Sequence, residues 1–213
     1  MFTGLIEAVC TVRSVRRTAD AMRIEVDLGQ LADQADIGDS IAINGVCLTV
    51  ARLDGSCAAF DVSGETLSKA TLSSLKTSAK VNVELAMKAG DRFGGHFVQG
   101  HIDGIATIKT VENKGQFCDI SFSVLPELLN SIVPKGSIAV DGISLTIKSI
   151  AQDSFEVAII PQTLENTTLG NAKAGDKVNI ETDIIVKTIA RQLRNLLPKG
   201  QGLTLEKLKE LGF

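Results

Sequence analysis

Apolar and polar residues alternate along short stretches of this chain. Between residues 23 and 28, Ile24, Val26 and Leu28 fall on one side and Arg23, Glu25 and Asp27 on the other, the period of two of a half-buried strand. Segments 8–12, 41–50, 58–62 and 80–85 are rich in β-branched residues and separated by Gly, Asp and Ser, so they too predict strands. Segments 104–108, 119–124, 138–147, 155–160 and 177–182 follow in the same order. Short helices are predicted at 31–35, 67–74, 126–132 and 164–170, with Pro126 suited to a first helical turn. From residue 183 to 197 the period changes. Ile184, Ile185, Ile189, Leu193, Leu196 and Leu197 recur at spacings near three and four, which predicts an amphipathic helix that Pro198 ends. A second short helical pattern covers 204–212.

The pattern also repeats over a long distance. Shifted by 97 positions, Ser40-Ile41-Ala42 meets Ser137-Ile138-Ala139, and Lys80-Val81-Asn82-Val83-Glu84 meets Lys177-Val178-Asn179-Ile180-Glu181. Near the two starts the shift is 96, where Gly4, Ile6 and Thr11 meet Gly100, Ile102 and Thr107. This period is far longer than a solenoid repeat, so the chain is a duplicated domain of about 90 residues. About six short strands per half predict a small closed barrel, which leaves no exposed edge. The tail helix has no counterpart in the first half. Its apolar stripe must be buried against its own chain or against copies of itself.

Composition narrows the function classes. The 213 residues carry a net charge of -3, without the clustered Lys and Arg of a nucleic-acid footprint. The basic patch at 191–194 reads as a solvated helix face. Cys10, Cys47, Cys57 and Cys118 have no C-x-x-C spacing, which argues against a zinc site or a disulfide framework. With no leader pattern and no apolar run of membrane length, the expectation is a soluble cytoplasmic protein with no membrane or nucleic-acid partner. No phosphate loop is present, and the glycines near residue 95 lack the strand-to-helix context of a dinucleotide fingerprint.

Candidate chemistry therefore concentrates in one loop written twice. Asn44-Gly45-Val46-Cys47-Leu48-Thr49-Val50 returns as Asp141-Gly142-Ile143-Ser144-Leu145-Thr146-Ile147. Cys47 shares a strand face with Thr49, and Ser144 with Thr146. Polar groups on one face in both copies fit a pocket wall better than a core, although a lone strand cysteine is more often inert filler. The two histidines, His96 and His101, lie in the glycine-rich bridge at 94–104. Each reads as a linker residue or as a proton carrier near neutral pH. Lys135, just before the second loop, would hold a polar or anionic ligand edge if it lies beside a pocket.

The start MFTGLIE, the loop NGVCLTV, the bridge GGHFVQGHIDG, and the later DGISLTI and IPQTLENTTLG resemble the riboflavin synthase family, alpha-chain type. The resemblance runs from Met1 to about Leu197. It implies an all-β fold of two tandem six-stranded antiparallel Greek-key barrels related by internal duplication, plus a C-terminal α-helix. Residues 1–96 and 97–182 would be lumazine-binding barrels, and 183–213 a trimerisation helix and tail. It further implies a homotrimer without metal or redox cofactor. The implied reaction is a dismutation of two 6,7-dimethyl-8-ribityllumazine molecules between the N barrel of one subunit and the C barrel of its neighbour. A four-carbon unit moves, giving riboflavin and 5-amino-6-ribitylaminouracil. Association with a lumazine synthase shell stays open.

Carried over by position, the resemblance expects one lumazine in an N-barrel pocket lined by Gly4, Leu5, Ile6, Cys47, Leu48, Thr49, Asp61, Val62, Ser63, Gly64, Glu65, Thr66, Gly100, His101 and Ile102. The other is expected in a C-barrel pocket lined by Lys135, Ser144, Leu145, Thr146, Ala158, Ile159, Ile160, Pro161, Gln162 and Thr163. His101 with Thr146 or Ser144 is the expected relay for a proton of the donor C7 methyl. Cys47, or a hydroxyl from water or Ser40, is the expected nucleophile at C7 of the acceptor. Phe2 and Asp183 are weaker supporting candidates. Two alternatives stay in view. Lumazine proteins are similar but bind a chromophore without turnover and tend to lose the reactive positions. A flavin-dependent reductase would need a nicotinamide-binding βαβ unit, which the pattern lacks.

Overall fold

The computed structural model describes residues 1–18 and 20–196, with side chains through residue 193. Pro198 and the helical pattern at 204–212 lie outside the described residues. Strands β1 (Ala8–Arg17), β2 (Ala21–Asp27), β3 (Ser40–Ile43), β4 (Val46–Asp54), β5 (Cys57–Ser63) and β6 (Lys80–Leu85) close into a barrel in the order β1-β2-β5-β4-β3-β6. Strands β7 (Gly104–Lys114), β8 (Phe117–Ser123), β9 (Ser137–Val140), β10 (Ile143–Ile150), β11 (Ser154–Ile159) and β12 (Lys177–Thr182) close a second barrel in the same order. All the pairings are antiparallel, and the jumps from β2 to β5 and from β3 to β6 make the order Greek-key. Helices α1 (Gly64–Lys69), α2 (Pro126–Leu129) and α3 (Pro161–Asn166) are short, and α4 (Ile184–Leu196) follows the second barrel.

Several expected elements divide. Segment 41–50 is not one strand but the hairpin β3–β4, and 138–147 is the hairpin β9–β10. The reason is the turn chemistry. Asn44 and Gly45 have φ of 45° and 75°, and Asp141 and Gly142 have 44° and 81°, the left-handed pair that a two-residue hairpin loop needs. The helices expected at 67–74 and 164–170 each divide into a single α-turn and a 3-10 turn, Thr71–Ser74 and Thr168–Asn171. The one expected at 31–35 is a 3-10 turn, Gly29–Gln34.

Alternation decides what each barrel buries. On β4, Val46, Leu48 and Val50 are buried inside, while Cys47 and Thr49 face outward. The N-barrel core includes Ile24, Ile41, Phe60 and Val83. The C-barrel core includes Ile120, Phe122, Ile138 and Phe155, with Phe122 and Phe155 stacked at 5.1 Å between centroids. Each such side chain contributes about 1.5–3 kcal/mol by leaving water.

A third cluster, Phe2, Ala42, Val98 and Ala139, lies between the barrels. Phe2 and Val98 exchange both backbone hydrogen bonds, at 2.8 and 3.2 Å. The two hairpin tips also touch, because a Cβ on Gly45 would lie 2.5 Å from the Gly142 nitrogen. Buried amides close the seam. The Asn44 side chain accepts from the Asn82 backbone, and Asn82 Nδ2 donates to the Asp141 carbonyl. Asp141 accepts from the Asn179 backbone, and Asn179 Nδ2 donates to the Asn44 carbonyl.

Asp183 caps α4 by accepting from the Ile185 N–H, and Lys187 pairs with Asp103 at 2.8 Å. Ile185, Ile189 and Leu193 remain 51, 54 and 52 % exposed. At spacings of four they form one uncovered apolar stripe.

Candidate functional site: two equivalent clefts with exchanged walls

Two repeat-related clefts lie outside the barrel cores. The larger, about 640 Å³, is lined by Gly4, Leu5, Ile6, Ile143, Ser144, Ile160, Gln162, Thr163 and neighbours. The smaller, about 270 Å³, is lined by Val46, Glu65, Thr66, Lys69, Ala70, His101 and Ile102. The repeat shifts relate Gly4-Leu5-Ile6 to Gly100-His101-Ile102, and Gln162-Thr163 to Glu65-Thr66.

The geometry corrects one expectation. Gly4, Leu5 and Ile6 wall the C-barrel cleft, not the N-barrel one. The Gly4 carbonyl accepts from the Ser144 N–H at 2.8 Å, and Ile6 packs on the C-barrel core. Conversely, the Gly100 carbonyl accepts from the Cys47 N–H at 3.0 Å, and Ile102 packs on the N-barrel core. Both close approaches require glycine. A Cβ on Gly4 would lie 2.7 Å from the Ser144 Cβ, and one on Gly100 would lie 2.4 Å from the Cys47 Cβ.

Buried carboxylates fix these exchanged segments. Glu84 on β6 accepts from the Thr3 N–H and hydroxyl, both at 2.7 Å, and from the Gly4 N–H at 3.0 Å. Glu181 on β12 accepts from the N–H groups of Gln99, Gly100 and His101 at 2.8, 2.9 and 3.2 Å. Burial raises both carboxyls above their ordinary pKa, while these donors pull the other way.

The two outward loop residues differ in their partners. Ser144 Oγ lies 2.7 Å from His96 Nδ1. His96 is buried, its Nε2 has no partner among the described residues, and its backbone N–H donates to the Thr3 carbonyl. Burial pushes the imidazole pKa down, and the nearby Asp183 carboxylate opposes that. A neutral ring beside a hydroxyl can take up its proton. Cys47 is half-buried against the Phe2 cluster, and no imidazole is bonded to it among the described residues.

His101 lies in the other cleft, so the expected pairing with Ser144 or Thr146 does not form within one chain. Thr49 and Thr146 are exposed on the same faces as Cys47 and Ser144, and Ser40 is opposite Thr49 in the ladder. Leu48, Val62, Leu145 and Ile159 are buried in the cores, so only their backbones can meet a ligand. Asp61 pairs with Arg23 on the outer surface. Ser63 caps α1, with Gly64 as its first residue. Ala158 faces outward on β11, and Pro161 opens α3. Lys135 is exposed at φ 62°, where the repeat has Gly38 at 98°.

Sequence pattern alone gives His96 no definite role and does not single out Glu84 or Glu181. A signal was available: the same acidic residue ends the outer face of the closing strand in both halves.

Comparison with known proteins agrees with this architecture. The lumazine binding domain model matches residues 3–86 and 99–183. Riboflavin synthase of Bacillus subtilis (strain 168) is 40% identical over 215 residues, and that of Actinobacillus pleuropneumoniae 39% over 216. Each comparison covers 100% of both chains. LumP complexed with riboflavin has a similar fold at a TM-score of 0.81 and 24% identity, covering 85% of this chain and 99% of LumP. LumP complexed with 6,7-dimethyl-8-(1'-D-ribityl) lumazine gives 0.79 at 23% identity with the same coverage. With two lumazine binding domains and full-length likeness to these synthases, the chain belongs to the riboflavin synthase family.

Proposed function

We propose that this enzyme converts two molecules of 6,7-dimethyl-8-ribityllumazine into riboflavin and 5-amino-6-ribitylaminouracil by moving a four-carbon unit from one to the other. The observation that carries the reading is the pair of repeat-equivalent clefts with unlike groups: Ser144, backed by the buried His96, lines the larger, and Cys47, bonded through its N–H to the Gly100 carbonyl next to His101, adjoins the smaller. A reaction between two copies of one substrate needs like pockets that hold the rings and unlike groups that make one a donor and the other an acceptor. Holding both rings in register contributes up to about 7–11 kcal/mol of the barrier.

The clefts of one chain are separate. The proposed site forms where the N-barrel cleft of one subunit faces the C-barrel cleft of another in a homotrimer. The exposed Ile185, Ile189 and Leu193 stripe supports this assembly. In that arrangement Ser144, with its proton passed to His96, acts on the C7 methyl of the ring in the C-barrel cleft. His101 and Thr146 meet across the interface, and Cys47 or the Ser40 hydroxyl attends C7 of the other ring. Backbone groups of the cleft walls outside the bonds to Glu84 and Glu181 read the pyrimidine edges, and Thr66 and Thr163 hold ribityl hydroxyls. The four free thiols suit a cytoplasmic protein.

The deciding experiment is incubation of the purified protein with 6,7-dimethyl-8-ribityllumazine alone. The expected result is riboflavin, seen by absorbance and fluorescence, with one riboflavin formed per two lumazines consumed. Tight binding without turnover overturns the enzyme reading in favour of a chromophore carrier.

A further inference from the structure

We propose that Glu84 and Glu181 are crossed positioning residues, each holding the wall of the cleft that belongs to the opposite barrel. The inference rests on the function proposed above. Glu84 stands on β6 of the N barrel, yet the segment it grips, Thr3 and Gly4, continues into Leu5 and Ile6 beside Ser144 of the C barrel. Glu181 stands on β12 of the C barrel, yet it grips Gln99, Gly100 and His101, which cover Cys47 of the N barrel. Each segment then returns to its own barrel, where the Glu7 N–H donates to Val83 and the Asp103 N–H to Ile180.

The choice of glutamate follows from the donor count. Three donors converge on each carboxylate, and only a group with two acceptor oxygens and no hydrogen satisfies them all. Such charge-assisted bonds are about twice as strong as neutral ones. The two glutamates are 4 and 2 % exposed, so water cannot readily replace them. Glutamine keeps the shape but turns an NH2 toward a backbone N–H. With its oxygen kept on the side that takes two donors, the NH2 unseats Gly4 in one case and Gln99, two residues before His101, in the other. Neither glutamate touches the reacting atoms. Each acts through the segment it holds, and the crossing makes each cleft depend on a strand of the other barrel.

The chain has two histidines, one reporting on each cleft, so imidazole NMR of ligand-free protein tests the crossing. In Glu181→Gln the His101 signals should move while those of His96 stay. In Glu84→Gln the His96 signals should move, through Thr3, Gly4 and Ser144, while those of His101 stay. Each variant should also lower kcat at least tenfold with a smaller change in KM. A merely structural role moves both histidines together. That outcome overturns the proposal, as does a shift confined to the histidine on the uncrossed side, or wild-type signals in both variants. Should a glutamine variant fail to fold, Glu→Asp keeps both oxygens and retracts them by one methylene, and the same signals decide. The NMR arm needs no turnover. A wild-type protein that makes no riboflavin overturns the proposed reaction and leaves the crossing to the histidines.

Discussion

Asp141 accepts the backbone N–H of Asn179 at 2.7 Å, the bond that Asn44 makes to Asn82 at the same distance in the other repeat. One seam position is thus an amide in the first half and an ionisable acid in the second. Burial pushes the Asp141 carboxyl from 3.8 up to about 7, with the Asn179 N–H opposing.

The folded chain therefore keeps a proton that the unfolded chain has released. Stability falls as pH rises from 3.8 to about 7 and does not return above it. Glu84 and Glu181, also raised by burial, act in the same direction. His96, lowered by burial, acts oppositely and removes stability as pH falls below its ordinary 6.5. Because Asn44 shows that an amide fits this seat, Asp141→Asn should stabilise the protein at about pH 8 by on the order of a few kcal/mol. Denaturant titrations across pH check this, and an unchanged pH profile refutes it.

Gly100→Ala combines two penalties. The residue sits at φ 79°, and its new Cβ would lie 2.4 Å from the Cys47 Cβ. Gly55 is a control, with φ 57° and nothing within 4 Å. Gly55→Ala should cost only the left-handed conformation, about 1–2 kcal/mol. Gly100→Ala should cost more and should speed labelling of Cys47 by a thiol reagent, measured in a Cys57→Ser background. Equal stability losses and unchanged labelling would show that the Cys47 wall is not set by Gly100.

The Ser144–His96 pair carries its own test. His96→Ala leaves the Ser144 hydroxyl without its acceptor and should lower kcat by about 10²-fold or more. In the wild type the acid limb of the kcat profile should lie below pH 6.5, the direction in which burial moves His96. Ser144→Ala should abolish that limb. Survival of the limb in Ser144→Ala would assign it to another group.

Most of the fold was legible because barrel strands declare themselves locally. Alternation at Ile24, Val26 and Leu28 and the 97-residue echo around Cys47 and Ser144 are properties of sequence alone. What alternation could not reveal was the hairpin inside 41–50, since Asn44 and Gly45 interrupt it for only two residues. The exchange of Gly4–Ile6 and Gly100–Ile102 between barrels was equally hidden. It depends on buried carboxylates eighty positions away, and an outward-facing glutamate looks solvent-exposed until another segment covers it. The resemblance attaches Gly4, Leu5 and Ile6 to the nearer barrel in sequence, and chain proximity is a poor guide when segments cross.

The uncovered stripe on α4 makes the last prediction. Ile185, Ile189 and Leu193 are each about half exposed, and three such side chains on one face are disfavoured in water. Truncation after Thr182 would remove them, but it would also remove Asp183 beside His96 and Lys187 on Asp103. The pair Ile185→Asp with Ile189→Asp is the cleaner variant, because it leaves the cap and the ion pair in place. If neighbouring subunits complete the site, this variant should sediment as a single chain. It should still unfold cooperatively and lose at least 10²-fold in riboflavin formation. Lumazine should still bind, with lower affinity, because each cleft retains its own walls. A single-chain species with full activity would place both substrates within one subunit and refute the shared site.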